Sequence, residues 1–332
     1  MRKAVLLYNP HSGQRRDPRA AVEKAAAVLR DYCVEATVVA TLSAAEAGKQ
    51  AKAAIAQGCD TVFACGGDGT IQDVAQGVVG SNAALAILPL GTANVLAHDL
   101  GIPRDAAAAA RTALLSSRLR ISVGQVQCRS GRGSSAGPVV TRYFLSVAGA
   151  GQDGYLFHRL VSAQMQTLKK RTFGIAAYFA EALRVWLLHK SVWFSVDLGK
   201  TSQLGTRSLG PAASPRKATQ ILAVRLHNFG NLLRDLAPGA SLARADFRLV
   251  LFETASRWSY LLYIIRGIVG AGNVVPGVEL LRASSLRLTP SSTCPVYLEA
   301  DGELLGQLPA EISIVPDALT LLIPPDFASR QK

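Results

Sequence analysis

Residues 61–70, TVFACGGDGT, decide the fold. Residues 61–65 are an apolar run, and Gly66-Gly67-Asp68-Gly69-Thr70 follows at once. A run that is apolar on both faces reads as a buried parallel strand. A helical signal over 71–80 comes next, so strand, glycine turn and helix form one unit of an open parallel sheet. The same unit recurs on either side. Residues 3–8 (KAVLLY) end in Asn9-Pro10-His11-Ser12-Gly13, and a helix is expected over 19–32. Residues 35–41 (EATVVAT) predict a second strand, and 44–57 a helix closed by Gly58. Residues 85–88 (LAIL) predict a fourth strand, followed by Leu90-Gly91-Thr92-Ala93-Asn94. The alternation predicts an α/β domain over 1–122, an open and mostly parallel sheet with helices on both faces.

From about residue 121 the pattern changes. Short strand-like runs are expected at 121–126, 142–147, 192–197, 220–226, 247–252, 286–289, 296–300, 311–315 and 319–323. They predict a second, sandwich-like all-β domain over 123–332, dominated by antiparallel strands. One helical block, 174–188, interrupts them. Two Gly/Ser-rich basic stretches, 129–137 and 199–217, read as exposed loops. The run 258–269 (WSYLLYIIRGIV) reads as a core helix in preference to a lining of a lipid site.

Composition narrows the class. Hydrophobic residues make up 49% and charged residues 18% of the 332, which excludes a disordered tail protein. The five cysteines form no CxxC pair, so a zinc ribbon and a disulfide scaffold are not expected. The net charge is +13, and most of the excess lies late in the chain: residues 123–332 hold 23 basic and 13 acidic side chains. Such an excess attracts nucleic acid, anionic membranes or phosphate-rich ligands. No nucleic-acid module is recognisable, so nucleic acid is not the expected partner. No leader is visible, and 258–272 is too short and broken to span a bilayer. The expected location is cytoplasmic and peripheral, at the inner membrane face.

Three glycine turns therefore follow three strands of one sheet. Ligands of such sheets sit at the carboxyl ends of the strands. Glycine lets backbone N–H groups approach phosphate oxygens, and the helix after Gly69 offers its N-terminus to an anion. Asp68 is out of place in a phosphate cradle unless a divalent cation or water stands between the charges.

These turns, together with Gly149-Ala150-Gly151-Gln152-Asp153-Gly154 and Asp301-Gly302-Glu303, resemble the diacylglycerol kinase catalytic-domain family. That family includes bacterial lipid kinases and the sphingosine and ceramide kinases. The resemblance implies an N-terminal domain like those of NAD kinases and phosphofructokinases, and a β-sandwich whose last segment packs back on it. It implies transfer of the γ-phosphate of ATP, with Mg²⁺, to a lipid alcohol such as diacylglycerol at an anionic membrane; a homodimer is compatible with it. By family pattern Asn9, Pro10, His11, Ser12, Gly13, Thr41, Gly66, Gly67, Asp68, Gly69, Thr70, Ile71, Gln72 and Thr92 match nucleotide-contacting positions. Glu303 matches the general base, and Asp68 is the second residue expected to be catalytic. Taken alone, Asp-Gly-Glu reads as an ordinary hairpin turn. An NAD kinase, which also carries Gly-Gly-Asp-Gly-Thr, and a catalytically weak lipid-binding relative are the alternatives.

The chain departs from the family at several points. Val95 stands where an acidic residue is common, and Gln72 and Gln76 replace asparagines. Many bacterial members hold a structural Mg²⁺ with an aspartate that follows a Pro-x-Ala-x-Leu segment. Here that segment is Pro238-Gly239-Ala240-Ser241-Leu242, and Arg244 stands at the metal-ligand position. A guanidinium cannot bind a cation, but it can pair directly with Asp68. No structural metal site is carried over.

Overall fold

The computed structural model describes residues 1–12, 17–129, 137–152, 154–155, 184, 190–199, 215–229, 236–270 and 274–327. Gly13, Asp153, the basic triplet Lys169-Lys170-Arg171, the 174–188 block apart from Arg184, and most of both expected loops lie outside them.

The first half begins with strand β1 (Lys3–Tyr8), helix α1 (Pro18–Asp31), β2 (Glu35–Ala40) and α2 (Ala44–Ala56). It continues with β3 (Thr61–Gly66), α3 (Asp68–Val78), β4 (Ala84–Pro89), α4 (Val95–Leu100) and α5 (Ala106–Leu115). The four strands are parallel and lie in the order β4-β3-β1-β2. They are almost wholly apolar because both faces are covered. Ala51, Val74 and Val78 pack on one face, and Val22, Ala26 and Ala110 on the other. Chain order reverses between β1 and β3, and such switch points open a crevice at the strand ends.

The second half carries β5 (Ser117–Arg129), β6 (Val139–Phe144), β7 (Val147–Ala150), β8 (Phe194–Leu198), β9 (Arg216–Ala218) and β10 (Gln220–Val224). Then come β11 (Phe247–Phe252), helix α6 (Arg257–Val269), β12 (Val278–Ala283), β13 (Ser285–Pro290), β14 (Tyr297–Ala300) and β15 (Glu303–Ile323). All pairings within this half are antiparallel. Phe144, Phe194, Phe247 and Leu298 fill its core. The runs expected at 311–315 and 319–323 are one strand, because β15 stays paired with β5 across register shifts. Its end returns to the first half and pairs in parallel with β4, at Thr320 with Ala84 and Leu321 with Leu85.

Helix α6 corrects the reading of 258–269 as core. Among its residues only Tyr263 and Gly267 are buried, while Leu262, Ile265, Ile268 and Val269 are exposed. One side packs through Tyr260, Tyr263 and Ile264 over β10 and β11. With only Arg257, Ser259 and Arg266 polar among its thirteen residues, the helix has no continuous polar face to mark its outside, so periodicity could not reveal this.

Helices α2 and α3 touch backbone to backbone. A Cβ on Gly77 would lie 2.0 Å from the Gly48 carbonyl oxygen. Replacing a mid-helix glycine by alanine gains about 1 kcal/mol of helix propensity. Overpacking costs about 1–3 kcal/mol, and here the obstacle is backbone. Gly77→Ala should therefore lower the melting temperature; a rise would show that the helices separate freely.

Candidate functional site

The crevice at the switch point is a cleft of about 610 Å³. Its walls include Asn9, His11 and Ser12 after β1, Thr41 after β2, Gly67, Gly69 and Thr70 at the start of α3, and Gly91 and Thr92 after β4. Glu303, from the first position of β15, lines it as well.

The three glycine turns are tied together. The Asn9 amide donates to the Thr70 hydroxyl at 3.4 Å, and the Ser12 hydroxyl lies 3.4 Å from the same oxygen. The Asn9 side chain also accepts from the His11 N–H at 2.9 Å, which folds the turn. The other contact is between glycines: a Cβ on Gly91 would lie 2.4 Å from the Gly67 Cα. Asn94, with φ 50°, accepts from the Gly91 N–H and returns a bond to the Gly91 carbonyl. Asparagine tolerates this left-handed conformation better than most residues.

Helix α3 starts earlier than expected, at Asp68, so Gly69 and Thr70 lie in its first turn. Gly67 is its N-cap and supplies no side-chain oxygen, so that role is left open at the cleft wall. The positive end of the helix dipole is directed there.

Not every residue expected in the site lies on the cleft wall. Pro10 is exposed beside it. Ile71 packs in the core, and the buried Gln72 donates its amide to the Tyr143 carbonyl. Gly66 lies beneath the turn, where a Cβ would meet the Thr70 side chain at 2.5 Å. Asp68 points away, and its carboxylate accepts from the Val95 N–H at 2.7 Å and from neighbouring amides of α4. Burial raises its pKa, and these amides oppose the rise. The residue at 95 thus meets Asp68 through its backbone, whatever its side chain.

Two residues not singled out from the sequence complete the site. Arg142, on β6, places Nη2 at 2.6 Å from both the Asp73 and the Glu303 carboxylates. Asp73 also lines the cleft. It falls one turn after Thr70 on α3, a spacing that could have flagged it. Arg142 carries no local signal, because only the fold brings β6 to α3. Burial raises the Glu303 pKa, Arg142 opposes the rise, and Asp73 and Asp301 add to it. Asp73 is raised by burial too, again against Arg142.

Glu303 is aimed by its neighbour. Asp301 and Gly302 have φ of 47° and 84° and form the two-residue turn between β14 and β15. The ordinary hairpin and the site residue are therefore the same structure. The Asp301 carboxylate accepts from the N–H groups of Leu145, Ser146 and Val147 at 2.7–2.8 Å. Burial nevertheless pushes its pKa up to about 6, with the nearby Asp68 adding to the effect.

A model of the diacylglycerol kinase catalytic domain matches residues 3–126, and one of the YegS C-terminal NAD kinase beta sandwich-like domain matches 160–323. Residues 3–126 belong to the diacylglycerol kinase catalytic-domain family. It is 25% identical over 337 residues to a diacylglycerol kinase of Bacillus subtilis, covering 99% of both chains. It is 27% identical over 329 residues to a diacylglycerol kinase of Mycobacterium tuberculosis, covering 97% of this chain and 95% of the other. A solved diacylglycerol kinase from Bacillus anthracis superposes with a TM-score of 0.65 at 18% identity, covering 98% of both. Yeast NADH kinase superposes with a TM-score of 0.51 at 12% identity, over 99% of this chain and 86% of the other. These neighbours share the fold, an α/β domain followed by a sandwich-like β domain.

The family's structural metal does not fit this chain. Arg244 grips Asp246 with Nη2–Oδ2 at 2.8 Å, so the pairing with Asp68 considered from the sequence does not form. Arg282 binds the other side of Asp246. Among the described residues no group of three or more His, Cys, Asp or Glu could hold a metal.

Asp68→Ala would leave the α4 amides without their acceptor. Lost buried hydrogen bonds cost about 1–3 kcal/mol, so urea unfolding should show a loss of that size. Unchanged stability would mean that Asp68 does not anchor α4.

Proposed function

We propose that the protein is an ATP-dependent lipid kinase, with residues 1–122 presenting the nucleotide and residues 123–332 the acceptor. One observation carries the reading: Glu303 lines the same cleft as the N-terminus of α3 and the three glycine turns. Backbone and hydroxyl donors line the cleft together with two carboxylates of raised pKa, Asp73 and Glu303. Asn9, His11, Ser12, Thr41, Gly67, Gly69, Thr70 and Thr92 would bind ATP. Pro10, Gly66, Asp68, Ile71 and Gln72 would act from behind, by shaping those loops.

The lipid hydroxyl gives its proton to the Glu303 carboxylate as its oxygen attacks the γ-phosphorus. The bond from phosphorus to the bridging oxygen breaks, and ADP leaves. Asp73 and Glu303 are the cleft carboxylates available to a nucleotide-borne Mg²⁺, which would neutralise charge on the phosphates. Arg142 holds Glu303 in place.

The acceptor lies in membrane, and two features favour docking there without a span. No helix among the described residues is long and apolar enough to cross a bilayer. The outer face of α6 offers exposed Leu262, Ile265 and Val269 beside Arg257 and Arg266, in a chain of net charge +13. Basic side chains near an anionic surface contribute about 1 kcal/mol each.

With radiolabelled ATP, vesicles containing diacylglycerol and NAD as a competitor, label should enter lipid. Label in NAD alone, or in neither, would overturn the assignment. Glu303→Gln should abolish transfer while leaving the fold melted at the same temperature. Because the base must be ionised, activity should rise with pH through a Glu303 pKa above the ordinary glutamate value. Arg142→Met removes the cation that opposes this shift, so the acid limb should move to higher pH; an unmoved limb would uncouple Arg142 from the base. In sedimentation with anionic vesicles, Leu262→Asp with Ile265→Asp should weaken binding several-fold. Equal binding by wild type and variant would place membrane contact elsewhere.

A further inference from the structure

Arg225 follows β10 and heads the fully buried side chains by size, with 0% exposure. Taking a guanidinium out of water costs several kcal/mol unless its donors are met. Here backbone carbonyls meet both Nη groups, while the buried Nε has no partner among the described residues. Nη1 donates to the Asp246 carbonyl at 2.9 Å, and Nη2 to the carbonyls of Ser122 at 2.6 Å and Leu242 at 3.3 Å. Both reach the Arg244 carbonyl at 3.5 Å. Three of these oxygens belong to one loop, residues 242–246, and the fourth to β5. Carbonyl oxygens converging from a loop are the ligand type of a hard cation, and here they surround a side chain of this chain. Burial lowers the Arg225 pKa to about 10, which leaves the group charged at neutral pH.

The Asp246 carboxylate does not have to be shared with a metal, since Arg244 and Arg282 bind it from outside the cage. The backbone N–H of Arg225 donates to the Ser146 carbonyl at 2.9 Å, and the Ser146 N–H donates to Asp301. One residue thus connects the loop to the turn that aims Glu303.

We propose that Arg225 is the resident cation of the 242–246 loop: its guanidinium fills the carbonyl cage that a divalent metal would otherwise fill, so the loop keeps its place without a metal. The inference stands apart from the kinase reading, because its test reads melting and not turnover.

The full-length protein is melted in EDTA and in millimolar MgCl₂ without nucleotide. The wild type should melt at one temperature in both, and a fall on chelation would overturn the proposal. Arg225→Ala empties the cage and should melt lower. Adding Arg244→Asp to it places a carboxylate beside the emptied carbonyls. This double variant should gain a Mg²⁺- or Mn²⁺-dependent rise in melting temperature that Arg225→Ala alone lacks. A folded double variant indifferent to both metals would show that the cage is not a cation site. Should the double variant not fold, hydrogen exchange on the wild type decides: protection of 242–246 unchanged by EDTA supports the proposal, and lost protection overturns it.

Discussion

Strand β15 exchanges backbone hydrogen bonds with β14, β13 and β5 and then with β4 of the parallel sheet. Its length of 21 residues lets it begin at the cleft with Glu303 and end in the core of the first half. Parallel pairing at Thr320 and Leu321 leaves little freedom for the two halves to slide. The site depends on that restraint, because its donors follow β1, β3 and β4 while Glu303 comes from β15. Asp301 fixes the near end, with three amides holding one turn.

The site is built from acids held close together, and the fold manages them without neutralising all of them. Asp68, Asp73, Asp301 and Glu303 are each raised in pKa by burial. Asp68 and Asp301 spend their lone pairs on backbone amides and so serve the scaffold. Asp73 and Glu303 share Arg142 and remain on the cleft wall. A carboxylate satisfied by amides is locked, whereas one satisfied by a single guanidinium can still accept a proton. For Asp301 the sign is destabilising: its folded pKa of about 6 lies above the ordinary value of 3.8, so its contribution to stability falls as pH rises between them. The amides and β15 pairing hold it there regardless.

Much of the parallel sheet was legible residue by residue. Residues 3–8 were expected as a strand and are one, and 44–57 differs from α2 by one residue. Apolar runs ending in glycine leave few alternatives when both faces must be buried. The strand Val278–Ala283 was missed, because its partner β11 supplies half of its identity. The start of α3 was misplaced by three residues, since glycines in a helical first turn look like loop. That the Asp68 carboxylate accepts from the amides at the start of α4 was not legible, because spacing along a chain does not say which way a side chain turns.

By itself the sequence determined the alternation of strand and helix over residues 3–89, the three glycine turns and their place at strand ends. Those features follow from short-range rules of φ, periodicity and burial. Only the tertiary structure decided that Arg142 would bridge Asp73 and Glu303, that α6 would show an apolar face outward, and that Arg225 would lie in a cage of carbonyls. Each of these depends on groups distant in the chain, and electrostatics and desolvation act through space, where sequence separation carries no weight.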